Sequence, residues 1–148
     1  MSMVAIKNCP DYTLNVMMDK LDEGIDLLGG WGRFIAPGMK VLLKVNLIGP
    51  KPSDSAAITH AEFVRALTRM LKAHHCTVWI GDSSGGAIAG IAPTARSLVI
   101  SGLQEVAESE GAVIKNFDKE GVVPVKSTID SKPMYLAKPL FEADLVIN

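Results

Sequence analysis

Short apolar runs alternate with stretches of helical period along this chain, which predicts an α/β fold: a mainly parallel sheet with helices on both faces, plus a small hairpin excursion near residues 121–137. Two observations carry the prediction. Val41 to Val45, Val78 to Ile80, Val113-Ile114 and Leu145 to Ile147 are apolar with little in-out alternation, as strands covered on both faces must be. With 48% apolar and 21% charged residues in 148, the chain has the material for one ordinary core, which excludes disorder.

Met3 to Ile6 reads as a first extended apolar run, and the next stripe is helical, with Leu14, Met17, Met18, Leu21, Ile25 and Leu28 on one side and Gly29-Gly30 as its stop. Pro37-Gly38 signals a turn before the strand that includes Lys44. Gly49 to Ser55 is a polar, Pro-rich loop of the length that often carries function. Thr59-His60-Ala61-Glu62 has the form of a capping box, so a helix is expected to start at Thr59 and end near His74-His75, two residues read as surface. The strand at Thr77 to Ile80 runs into Gly81-Asp82-Ser83-Ser84-Gly85-Gly86, within a stretch to Pro93 dominated by small residues. Leu98 to Glu110 is predicted as one helix stopped by Gly111. Val122 to Val125 and Tyr135 to Ala137, flanking a polar turn at Ile129 to Pro133, predict the hairpin. Leu145 to Ile147 completes one domain over residues 1–148, expected to be a fragment of a longer chain.

Fifteen basic against sixteen acidic residues, without a block of like charge, leave no footprint for nucleic acid. No apolar run reaches the roughly 18 residues of a membrane span and no signal peptide opens the chain, so a cytoplasmic location without membrane insertion is expected. Cys9 and Cys76, far apart in sequence, are expected to be free thiols and cannot alone supply the four ligands of an iron-sulfur cluster, so no cofactor is expected within this segment.

Ligands of open parallel sheets collect beyond the carboxyl ends of the strands. That rule selects Lys44, Asn46, Thr59, His60, Asp82, Ser83 and Ser84. A lysine in an apolar strand needs a carboxylate or a bound anion, and Asp82 can be that carboxylate, in which case the two simply brace neighbouring strands. In the functional alternative Lys44 supplies positive charge, Asp82 acts as base, ligand or lysine partner, and Asn46, Ser83 and Ser84 donate hydrogen bonds to a small anion or a metal-bound anion. Gly81 to Gly86 could offer an anion nest, though it lacks the spacing of a phosphate loop. Thr59 is expected to cap its helix, and His60 in the first turn meets the positive end of the helix dipole, which favours neutral imidazole suited to ligating a metal or accepting a proton.

Gly81-Asp82-Ser83 resembles the nucleophile block of GDSL-type esterases, but their late D-x-x-H block has no counterpart, which leaves a serine hydrolase as a minor alternative. Leu27 to Gly30, Pro37-Gly38, Val41 to Leu47, Thr59-His60 with Val64-Arg65-Ala66, Gly81 to Ser83 and Ala143 to Asn148 together resemble the family catalogued as domain of unknown function 362. Val45 departs from the L-K-P-N typical of its second strand, while Lys44 and Asn46 match. The resemblance implies a site at Lys44, Asn46, Thr59, His60, Asp82 and Ser83. It also implies that longer members carry 4Fe-4S segments beyond the equivalent of Asn148. Two functions follow as expectations: a ligand-binding and possibly catalytic domain of a redox-associated protein, or a non-enzymatic docking domain whose Lys44-Asp82 pair is internal.

Overall fold

The computed structural model describes residues 2–85, 93–128 and 132–148. In chain order the elements are α1 (Leu14–Leu27), β1 (Lys40–Lys44), α2 (Ala61–Ala73), β2 (Thr77–Asp82), α3 (Thr94–Ile100), α4 (Leu103–Glu110), β3 (Val113–Asn116), β4 (Val122–Val125), β5 (Met134–Ala137), α5 (Pro139–Glu142) and β6 (Leu145–Ile147). β3, β2, β1 and β6 lie side by side in that order, every pair parallel, and β4 pairs antiparallel with β5 in a separate hairpin. The predicted α/β class and hairpin are therefore present; of the polar turn between β4 and β5, Ile129, Asp130 and Ser131 lie outside the described residues.

Strand alternation sorts the sheet into two unequal faces. Val41, Leu43, Val78 and Ile80 enter the large core, with Ile114, Leu145 and Ile147 packed against it beneath α1, α2, α3 and α4. Leu42 and Trp79 turn the other way and form with Phe117 a small cluster, covered by Ala137, Leu140 and Ala143 around α5. Gly81 sits on this second face, and a Cβ there would meet the Lys115 carbonyl oxygen at 2.6 Å and the Phe117 ring at 2.8 Å, so β3 crosses β2 closely only because position 81 is glycine.

Three local expectations are corrected. The predicted helix from Leu98 to Glu110 is two helices, because Gly102 takes φ 79° between them and a helix cannot continue through a left-handed residue. The helix expected from Thr59 starts at Ala61, with His60 as its cap, because the Thr59 hydroxyl is engaged by β1's exit loop instead. Met3 to Ile6 joins no sheet: Val4 and Ile6 are exposed, and the extended run lacks a partner strand among the described residues.

Candidate functional site

At the carboxyl ends of β1 and β2, buried Asp82 ties three segments together. Its Oδ2 accepts the Leu47 N–H (2.9 Å) and its Oδ1 accepts the Ser83 N–H (2.9 Å), while the Lys44 Nζ approaches Oδ1 at 3.3 Å. The Lys44 ammonium also donates to the Val45 carbonyl at 2.9 Å. An ammonium has three donors, and the Val45 carbonyl takes one of them, while Asp82 supplies the countercharge. The Lys44 side chain is 32% exposed, against 9% for Asp82, so a part-exposed lysine meets a buried carboxylate that organises the loops around it.

Asn46 and Thr59 form a second join. The Asn46 N–H donates to Thr59 Oγ1 (2.8 Å), the Thr59 N–H returns to the Asn46 carbonyl (3.0 Å), and Asn46 Nδ2 reaches the Ala57 carbonyl (3.1 Å). The Pro-rich loop between them is thus closed at its base, and it is anchored further by Ser53 Oγ, which donates to the Ser101 carbonyl (2.6 Å) and accepts the Ala61 N–H (3.0 Å).

His60 accepts the Glu62 N–H on Nδ1 (3.2 Å) and stacks on Tyr12, with centroids 3.6 Å apart and planes 10° from parallel. A neutral ring that accepts on Nδ1 carries its proton on Nε2, so His60 here offers a donor. The Tyr12 stack was not foreseen, because no local pattern links an N-terminal tyrosine to a helix cap so distant in sequence.

Ser84 faces inward: its N–H donates to Thr94 Oγ1 (2.7 Å) and its hydroxyl pairs with Ser97 Oγ (2.9 Å). With the Ser83 N–H on Asp82, the described part of the Gly81 to Gly86 loop directs these two amides to protein acceptors; Gly86 lies outside the described residues. Ser83 is exposed, and among the described residues no imidazole bonds to its hydroxyl.

Beside Lys44, a cavity of about 330 Å³ opens between α1, α2 and the ends of β1 and β6. Leu21 and Ile25 of α1, Phe63 and Leu67 of α2, and Ile147 of β6 form much of its wall. Lys44 has the one charged side chain of its lining, and Thr59 and Asn148 are its other polar residues besides the Trp31 indole, whose N–H is bonded to Asp22 at 2.7 Å.

Among the described residues no three His, Cys, Asp or Glu side chains converge as metal ligands. Cys9 and Cys76 are free thiols, one exposed and one buried, and burial pushes the Cys76 thiol up. They do not fit the four-thiolate nest of an iron-sulfur cluster. No described helix is long and apolar enough to cross a membrane.

A Synechocystis protein described as thylakoid-associated is 30% identical over 90 residues, covering 60% of this chain. The match takes in 28% of that protein's length, so this chain corresponds to a minor part of it. No solved structure matches the chain. The profile of one family spans residues 41–148, from the first residues of β1 through Asp82 to the end of β6, and by that match the chain belongs to the family Domain of unknown function (DUF362).

Proposed function

We propose that this domain binds a small anion at the carboxyl ends of its parallel strands, with Lys44 as the counter-charge and Thr59 as a neighbouring hydrogen-bonding group. The observation that carries the reading is the state of Lys44: braced by Asp82 at 3.3 Å and by the Val45 carbonyl, with 32% of its side chain exposed, and counted among the lining residues of a cavity that has no other charged side chain. Asp82 positions the cation and holds the Leu47 and Ser83 amides rather than meeting ligand itself. The family resemblance adds the setting, a domain working beside iron-sulfur segments; its support is that resemblance alone.

The saturation of Asp82 by protein donors favours a second reading, in which the pair only braces β1 against β2. Calorimetric titration with acetate and with inorganic phosphate separates the two. Saturable binding that weakens roughly tenfold or more in Lys44→Met, with the fold intact by circular dichroism, is expected of the anion site. Equal binding by the variant, or none by either protein, assigns Lys44 to the scaffold.

A further inference from the structure

Two apolar features of this chain lack partners, and they match. The first is Met3 to Ile6, an uncharged run that joins no helix or sheet, with Val4 80% and Ile6 87% exposed. The second is the outer edge of β6. Among the described residues β6 pairs with β1 alone, and Leu145, Val146 and Ile147 stay half-buried where their register partners Val41, Leu42 and Leu43 are buried. Beside β6 lies a hollow of about 280 Å³ in which every lining residue is apolar or aromatic. Leu145 and Ile147, from the face of the large core, line it together with Val146 from the other face. A hollow that meets residues of both faces of a strand runs along its edge.

The opposite edge of the sheet is guarded. β3 carries Lys115, whose ammonium lies 4.5 Å from the Trp79 ring centroid and 3.2 Å from the Glu120 carboxylate, and a charge held inward on an edge strand deters pairing with another chain. β6 is Leu-Val-Ile, with no charge or proline to do the same. We propose that Met3 to Ile6 of a second copy of this chain adds to the outer edge of β6, reciprocally, so that two molecules associate by exchanging this segment. Alternation along the added strand places Val4 and Ile6, the most exposed residues of the run, on one face. Position selects the second copy over the molecule's own segment. Lys7 fastens the run to α1: its Nζ pairs with Glu23 at 2.6 Å, and its stem passes Gly24, where a Cβ would meet Lys7 Cγ at 3.6 Å. Met3 lines a separate hollow with Leu28 and Phe34, and these two residues also line the hollow at β6. They stand between the segment and its own edge. Donor segment and acceptor edge thus flank the same two residues, and a single patch that holds both is what a two-fold interface requires.

Sedimentation and residue-resolved amide exchange test the assignment on the wild type, on the double variant Val4→Ser, Ile6→Ser, and on Val122→Ser, an exposed apolar position in β4. The wild type is expected to dimerise at micromolar concentrations, with amide exchange slowing in both Val4 to Ile6 and Leu145 to Ile147 as the dimer forms. The double variant should raise the dissociation constant at least about tenfold and return the β6 amides to their rate in the monomer, while Val122→Ser behaves as the wild type. Circular dichroism establishes that each variant folds; the substituted side chains are exposed, so the monomer is expected to be intact. A dimer that the double variant leaves unchanged, or one that forms without protecting the β6 amides, overturns the exchange. A monomer in which both segments are protected means that the run covers its own edge and overturns the second copy. A monomer with neither protected overturns the pairing altogether.

Discussion

Two ionic clusters hold this domain together, and they differ in what they leave unsatisfied. At the seam of α2 and α4, Arg65 donates through Nε to Glu62, through Nη1 to Ser109 and Glu110, and through Nη2 to Glu105, while Arg69 donates twice to Glu110. Burial works against the charged form of Arg65, but the bonds to Glu110, Glu62 and Glu105 outweigh it and its pKa rises. Four of the five guanidinium donors are engaged and no cavity adjoins Arg65 among those described, so the seam works as a brace. At the strand ends the geometry is one-sided: each oxygen of the carboxylate accepts a backbone amide, whereas the lysine side chain is 32% exposed and Lys44 is among the residues that line a cavity. A cluster with capacity on one side only is where a ligand can add something.

The largest effect expected from that asymmetry lies with Asp82. Asp82→Ala strands two backbone amides and the Lys44 ammonium, and removing one member of a buried charged cluster typically costs about 3–5 kcal/mol. Lys44→Met should cost less than about 1 kcal/mol, because the Lys44 side chain is 32% exposed and Asp82 keeps both amide donors. Urea unfolding of the two variants measures the difference. Equal losses would mean that the pair is symmetric and that Lys44 is as structural as its partner.

An intermediate effect is expected at the brace. Arg65→Met leaves Glu110 with Arg69 alone, for a loss of about 1–3 kcal/mol, below that of Asp82→Ala because Arg69 remains. The brace also has a pH signature. Arg69 first, then Arg65, hold the Glu110 carboxyl below its ordinary 4.5, against the opposing effect of burial. A carboxyl depressed in the folded state contributes stability that is fully present above the unfolded value and is lost as pH falls through the folded one. Urea midpoints followed from neutral pH to below pH 4.5 should therefore fall less steeply in Arg65→Met than in the wild type; parallel curves would show that Arg65 does not govern Glu110.

The asymmetry was half legible in the sequence. The pairing of Lys44 with Asp82 follows from strand-end placement, since a lysine in an apolar strand must find a partner and the neighbouring strand presents one. The parallel sheet was legible for a related reason: runs such as Val41-Leu42-Leu43 are too uniformly apolar for any but a covered strand. What escaped depends on long-range geometry. Gly102 reads as a tolerable interruption until its positive φ is known, and Thr59 reads as a cap until the Asn46 amide claims its hydroxyl. The hollow beside β6 is lined by residues from α1, β6 and the Trp31 turn, which no local spacing brings together. Ser84 has the right position at a strand exit for a site residue, but its orientation, set by Thr94 and Ser97 on a later helix, cannot be read from local spacing.

The smallest expected effect concerns His60, which stands between the two clusters at the start of α2. Its ring does two things at once: Nδ1 caps the helix through the Glu62 N–H, and the ring face stacks on Tyr12. Capping asks only for an acceptor, so His60→Asn should keep the helix start and change stability by a few tenths of a kcal/mol, whereas His60→Ala should cost about 0.5–1 kcal/mol. Tyr12→Ala removes the stack and keeps the cap, for a loss of about 0.5 kcal/mol, at the low end for ring pairs because Tyr12 is itself largely exposed. If His60 serves only as cap and stacking partner, the stability losses account for everything, and acetate binding is unchanged once each variant is compared in its folded range. If its Nε2 proton also reaches the anion at Lys44, His60→Asn should weaken acetate binding although the helix is intact, while Tyr12→Ala should not. Calorimetric titration of the two variants therefore decides whether the ligand-facing side of the strand-end cluster extends to α2 or stops at Lys44.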